Sequence, residues 1–129
     1  MSARTVGRAF NDALAAAGGS VPIWLVLTTL RGEAWRTQQE LARAVGIEGP
    51  TLTRHLDGME RAGLVVRRRA ADDRRAIQVE LTERGEELHG ELLTAVIAFN
   101  RKLRRGIGDA ELDQLRATLD RLVENAGAG

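Results

Sequence analysis

The chain has no cysteine and no tyrosine, only two prolines, two tryptophans and two phenylalanines, and a net charge of just +1 across 129 residues. The missing cysteine removes disulfide frameworks, thiolate nucleophiles, cysteine-ligated zinc and thiol-based oxidant sensing together. Only Ser2 and Ser20 supply serine hydroxyls. With no glycine-rich phosphate loop and no spaced histidine–carboxylate set, no catalytic motif is present and no enzyme is expected. His55 and His89 lie far apart in the chain, so no metal site and no cofactor are expected. The longest apolar run, residues 21–27, is much shorter than the roughly 20 residues of a membrane-crossing helix. The N-terminus lacks a charged-then-apolar leader pattern, so a cytoplasmic protein without membrane contact is expected.

What remains is 43% hydrophobic residues of helix-favouring types, in a length that suits one domain. Near-neutral charge conceals an uneven distribution. Arg61, Arg67, Arg68, Arg69, Arg74 and Arg75 crowd one stretch, whereas acidic residues such as Glu83, Glu86, Glu87 and Glu91 follow it.

Val6, Phe10 and Leu14 recur every four residues ahead of Gly18-Gly19, which predicts a first amphipathic helix. Ser20 and Pro22 open a second, apolar nearly all round through Leu30. Thr37 and Glu40 have capping-box spacing, so a third helix is predicted to start at Gln38 with Leu41, Ala42 and Val45 inward. The turn Gly46-Ile47-Glu48-Gly49 and Pro50 then lead into a fourth helix. On it Leu52, Leu56 and Met59 share one stripe, leaving Thr51, Arg54 and His55 toward the opposite side.

Gly63 closes that helix, and Leu64, Val65 and Val66 read as a strand. Ile77, Val79 and Leu81 alternate with polar residues as a second strand, and residues 70–75 form an arginine-bearing tip between the two. Thr82 caps a long helix with Leu88, Leu92, Val96, Phe99 and Leu103 in register. A last helix from Asp109 carries Leu112, Leu115, Leu119 and Leu122 at near-heptad spacing. The fold class expected is mainly α with a small β-hairpin: a winged helix-turn-helix lobe over residues 20–82. The terminal segments, 1–19 and 83–129, are expected to dimerise, because such stripes are too apolar to leave wet.

A capped helix pair also occurs as a plain packing unit; the hairpin directly after it adds the specificity. Residues 37–82, and above all GIEGPTLTRHLD and DRRAIQVELTERG, resemble the DNA-binding core of the MarR family of transcription regulators, particularly its SlyA-like branch. The resemblance implies a homodimeric repressor on a pseudo-palindromic double-stranded DNA operator. It implies that Pro50, Thr51 and Arg54 approach the major groove, with Arg54 the guanine contact, since a guanidinium donates twice to O6 and N7. Thr53 and His55 are further DNA-contact candidates on that helix, His55 equally well a plain surface residue. Arg75 would enter the minor groove, Arg74 would stay near phosphate, and Asp73 would orient a wing-tip arginine. Gln38, Gln39, Arg67, Arg68 and Arg69 are candidate phosphate contacts. Ala70 stands where many family members carry an acidic residue at the tip. Trp24 and Thr28 are candidates for a pocket taking a small aromatic or anionic effector, against the plainer reading of Trp24 as core.

Overall fold

The computed structural model describes residues 3–31, 36–69 and 76–128. Six helices and three strands follow in the order α1 (Ala3–Ala16), α2 (Val21–Arg31), β1 (Arg36–Thr37), α3 (Gln38–Val45), α4 (Gly49–Arg61), β2 (Val65–Arg69), β3 (Ile77–Leu81), α5 (Glu83–Leu103) and α6 (Asp109–Ala128). Among these no single helix is long and apolar enough to cross a membrane.

The local signals act where the residues place them. The Ser20 Oγ accepts from the Ile23 amide at 3.3 Å and starts α2. At α3 the capping box is complete: Thr37 Oγ1 accepts from the Glu40 amide at 3.1 Å while Glu40 Oε1 accepts from the Thr37 amide at 3.3 Å. Helix α3 stops at Gly46, whose φ of 72° is the left-handed conformation that glycine adopts without a Cβ clash. Pro50 is the second residue of α4, where its missing amide costs no helical hydrogen bond. Leu52, Leu56 and Met59 are the buried residues of α4, as their spacing predicts.

The three strands form an antiparallel sheet in the order β1-β3-β2. Arg67 lies opposite Val79 and Arg68 opposite Gln78 in the hairpin, and Thr37 also faces Gln78 from the other side. The two-residue β1 is not predicted by the sequence pattern, which marks only the hairpin. It makes β3 the central strand, consistent with Val79 being fully buried while Ile77, at the strand's start, is 40% exposed.

The core joins Leu14 of α1, Val26, Leu27 and Leu30 of α2, Leu41, the α4 stripe, Leu64, Val65, Val79, and Leu88 and Leu92 of α5. Helix α5 comes down on the start of the hairpin through Thr82, whose hydroxyl donates to the Gly63 carbonyl at 2.5 Å and accepts from the Gly85 amide at 3.0 Å. A Cβ on Gly85 would run into the Leu64 carbonyl, so only glycine allows this approach.

The chain divides into two compact units, residues 1–97 and 98–129. The boundary falls inside α5. In the second unit none of the described residues is buried, and Leu115, Leu119 and Leu122 of α6 are 54%, 51% and 59% exposed.

Candidate nucleic-acid interface

Helix α4 presents three distinct sides. At about 100° per residue, Leu52, Leu56 and Met59 define a buried side, Thr51, Arg54 and His55 an outer side, and Thr53, Asp57 and Glu60 a strip between them. Arg54 is exposed and makes no hydrogen bond or ion pair among the described residues. A guanidinium left open on the outer side of a short helix is free to fork onto a base edge. Thr51 and His55 are half-buried beside it, and Pro50 is exposed at the helix entrance. The N-cap residue Glu48 makes no side-chain cap bond, so the first-turn amides are left for other acceptors.

The intermediate strip is engaged internally. Gln38 Nε2 donates to Thr53 Oγ1 at 2.7 Å, and that hydroxyl donates on to the Gly49 carbonyl at 3.0 Å. The Oε1 of Gln38 is buried without a hydrogen-bond partner. Farther along, the Arg67 guanidinium reaches back from β2 to Asp57 Oδ1 at 2.5 Å and Glu60 Oε1 at 2.9 Å. The Arg67 amide adds a bond to Glu60 Oε2 at 3.3 Å. The guanidinium holds the Glu60 carboxyl below its usual range. Burial works against the charge of Arg67, but its bonds to Glu60 and Asp57 outweigh that and raise its pKa.

The residues proposed from sequence as phosphate contacts thus occupy different settings. Gln39, Arg68 and Arg69 are exposed, while Gln38 and Arg67 are taken up by contacts to α4. Asp73, Arg74 and Arg75 lie outside the described residues. An open cleft of about 770 Å³ runs between α3, the start of α4 and β3, bordered by Gln38, Gln39, Arg43, Gly49, Thr53 and Ile77.

Of the two effector candidates, Thr28 is exposed and Trp24 is half-buried with one ring face covered. The cover is His89 of α5, to which the sequence pattern assigns no role. The two rings stack with centroids 5.3 Å apart and planes 14° from parallel. The Nδ1 of His89 accepts from the Arg31 guanidinium at 3.2 Å. Burial, and then the charge of Arg31, push the imidazole pKa down. A usable signal existed: His89 sits in the inward series Gly85, Leu88, Leu92.

A capped helix, a glycine-stopped turn, a second helix with an open arginine, and an antiparallel hairpin directly behind it make a winged helix-turn-helix of the DNA-binding kind. The family model described as MarR family matches residues 23–76. The whole chain is similar to a MarR-family transcriptional regulator from Rhodococcus sp. RHA1, at 29% identity and a TM-score of 0.79, covering 92% of this chain and 84% of that one. A transcriptional regulator of M. tuberculosis, MOSR, solved in complex with DNA, is 29% identical with a TM-score of 0.77, over 98% and 90% of the two chains. The transcriptional repressor CouR, solved bound to a 23-mer DNA duplex, is 28% identical with a TM-score of 0.84, over 92% and 84%. Residues 23–76 thus match the MarR-family model, and the chain resembles solved transcriptional regulators, two of them in complex with DNA, over nearly its whole length.

Proposed function

We propose that the chain is a homodimeric repressor that reads a pseudo-palindromic operator, with α4 in the major groove and the β2–β3 hairpin at the flanking minor groove. The observation that carries this reading is Arg54: exposed, unpaired among the described residues, and on the side of α4 opposite the buried stripe. Pro50, Thr51, Thr53 and His55 approach the same groove. Gln39, Arg68 and Arg69 meet phosphates, Arg75 enters the minor groove, Arg74 stays near phosphate, and Asp73 orients a wing-tip arginine. Replacing Arg54 with Ala is expected to cost about 1 to 3 kcal/mol of operator affinity and to relax preference at one base position. Unchanged base discrimination in that variant would contradict the assignment.

The dimer is supported by the exposed leucines of α6, a regular apolar row that a second copy would cover. Two copies about a twofold axis would set two α4 helices about 34 Å apart, one turn of DNA. The wing segment DRRAIQVELTERG supports placement in the SlyA-like branch, and a cytoplasmic location follows from the role. A small aromatic or anionic effector beside Trp24 and Thr28 would act by changing the spacing of the two lobes. Aromatic carboxylates are then expected to raise the melting temperature and weaken operator binding; a panel that does neither removes the effector from the account.

A further inference from the structure

Two side chains that sequence alone offers as phosphate contacts, Gln38 and Arg67, both hold α4, and they hold the same strip of it. Thr53, Asp57 and Glu60 stand at i, i+4 and i+7, one line along the helix between the buried side and the outer side. Gln38 grips the first of them from α3, and Arg67 grips the other two from β2. The buried stripe alone leaves a helix some freedom to roll, because leucine and methionine contacts are not directional. Hydrogen bonds and a forked guanidinium are directional, and they act on a line adjacent to the outer side, where a small roll would move Arg54 most.

We infer that Gln38 and Arg67 are positioning residues for operator discrimination: they set the rotation of α4 about its own axis relative to α3 and the wing, without contacting DNA themselves. The inference rests on the reading that α4 enters the major groove. Arg67 is suited to the task because its side chain is only 19% exposed and its charge is already met by two carboxylates. A cation so matched has little net charge to offer a phosphate. Arg68, one residue on, is exposed with no partner among the described residues and differs in this respect. Lysine is not an equivalent in the Arg67 position, since a point charge cannot fork across Asp57 and Glu60.

The test compares the wild-type protein with Arg67→Met, Arg67→Lys, Gln38→Leu and the double variant Asp57→Asn/Glu60→Gln. Affinity for a selected operator and for a random duplex is measured over a range of salt, with thermal unfolding of each variant alongside. Expected for Arg67→Met and Gln38→Leu is a fall of about 10-fold in the operator-to-random ratio, the size of one misplaced bidentate base contact. The salt slope is expected to stay at the wild-type value, where loss of a phosphate contact would lower it by about 0.9. Arg67→Lys does not restore the ratio. The double acid variant gives the sharpest reading, because it keeps Arg67 and removes negative charge: positioning requires the ratio to fall, whereas a phosphate contact would gain affinity for every duplex and a steeper slope.

A lowered slope with an intact ratio in Arg67→Met overturns the inference, as does a double variant that keeps the wild-type ratio. Variants that melt lower yet keep the ratio overturn it too, since the contacts then serve stability alone. A wild-type protein that does not discriminate any selected operator from random duplex refutes the functional reading itself, and the inference with it.

Discussion

Residues 3–97 and residues 98–128 are built on opposite principles. The first unit buries leucines from five helices against Val65 and Val79 of the hairpin, while α6 carries an equally regular leucine row and leaves Leu115, Leu119 and Leu122 exposed. The same sequence pattern therefore has two outcomes. A leucine stripe reports that a face must be covered, not whether its cover lies within the chain or on another copy. In the first unit the cover is internal, and stability there should follow ordinary core energetics; for α6 the proposed cover is a second subunit.

The largest expected effect separates the two units directly. Leu56→Ala empties a fully buried site and is expected to lower unfolding free energy by about 2 to 5 kcal/mol, read by denaturant titration. An equal loss from Leu119→Ala at low protein concentration would erase the distinction. Next, Leu119→Glu with Leu122→Glu should leave the first unit folded by circular dichroism yet convert the protein to monomer in sedimentation. Operator affinity should fall about 100-fold as the linked second half-site is lost. A charged pair that leaves the protein dimeric would place the interface elsewhere.

Smaller effects sharpen the account of how the first unit is held. Gly85→Ala drives a methyl toward the Leu64 carbonyl and is expected to cost about 1 to 3 kcal/mol, whereas Gly90→Ala, with open space around it, should not destabilise. The smallest effect is one of pH. His89 takes up a proton less readily when folded than when unfolded, because burial and Arg31 disfavour its cation. Its contribution is therefore fully present above the ordinary histidine range and is lost as pH falls through the lowered value in the folded state. His89→Gln should flatten the melting-temperature profile in that window; an unchanged profile would remove His89 as its source.

The parts of the fold legible in the sequence were those encoded within one turn of chain. Thr37 with Glu40, the Leu52, Leu56 and Met59 stripe, and the alternation around Val79 each announce their element locally, and each forms. The strand β1 could not be read, because two residues have no period and acquire strand geometry only from their pairing with β3. Arg67 and Gln38 are legible as residue types suited to phosphate, but their partners are seven to fifteen residues away in sequence. The stacking of Trp24 on His89 joins α2 to α5 across a still longer separation; helical periodicity puts His89 on the inward side but does not name its partner. The outer side of α4 was readable for the opposite reason: Arg54 is defined by what it does not touch, and helical periodicity alone puts it there.

The central claim is that a twofold protein reads twofold DNA through α4. Selection from random duplexes with the purified protein, at near-physiological salt, tests it most directly. The account predicts enrichment of an inverted repeat whose half-site centres lie about 10 base pairs apart. A single unrepeated motif, or no enrichment at all, would contradict it.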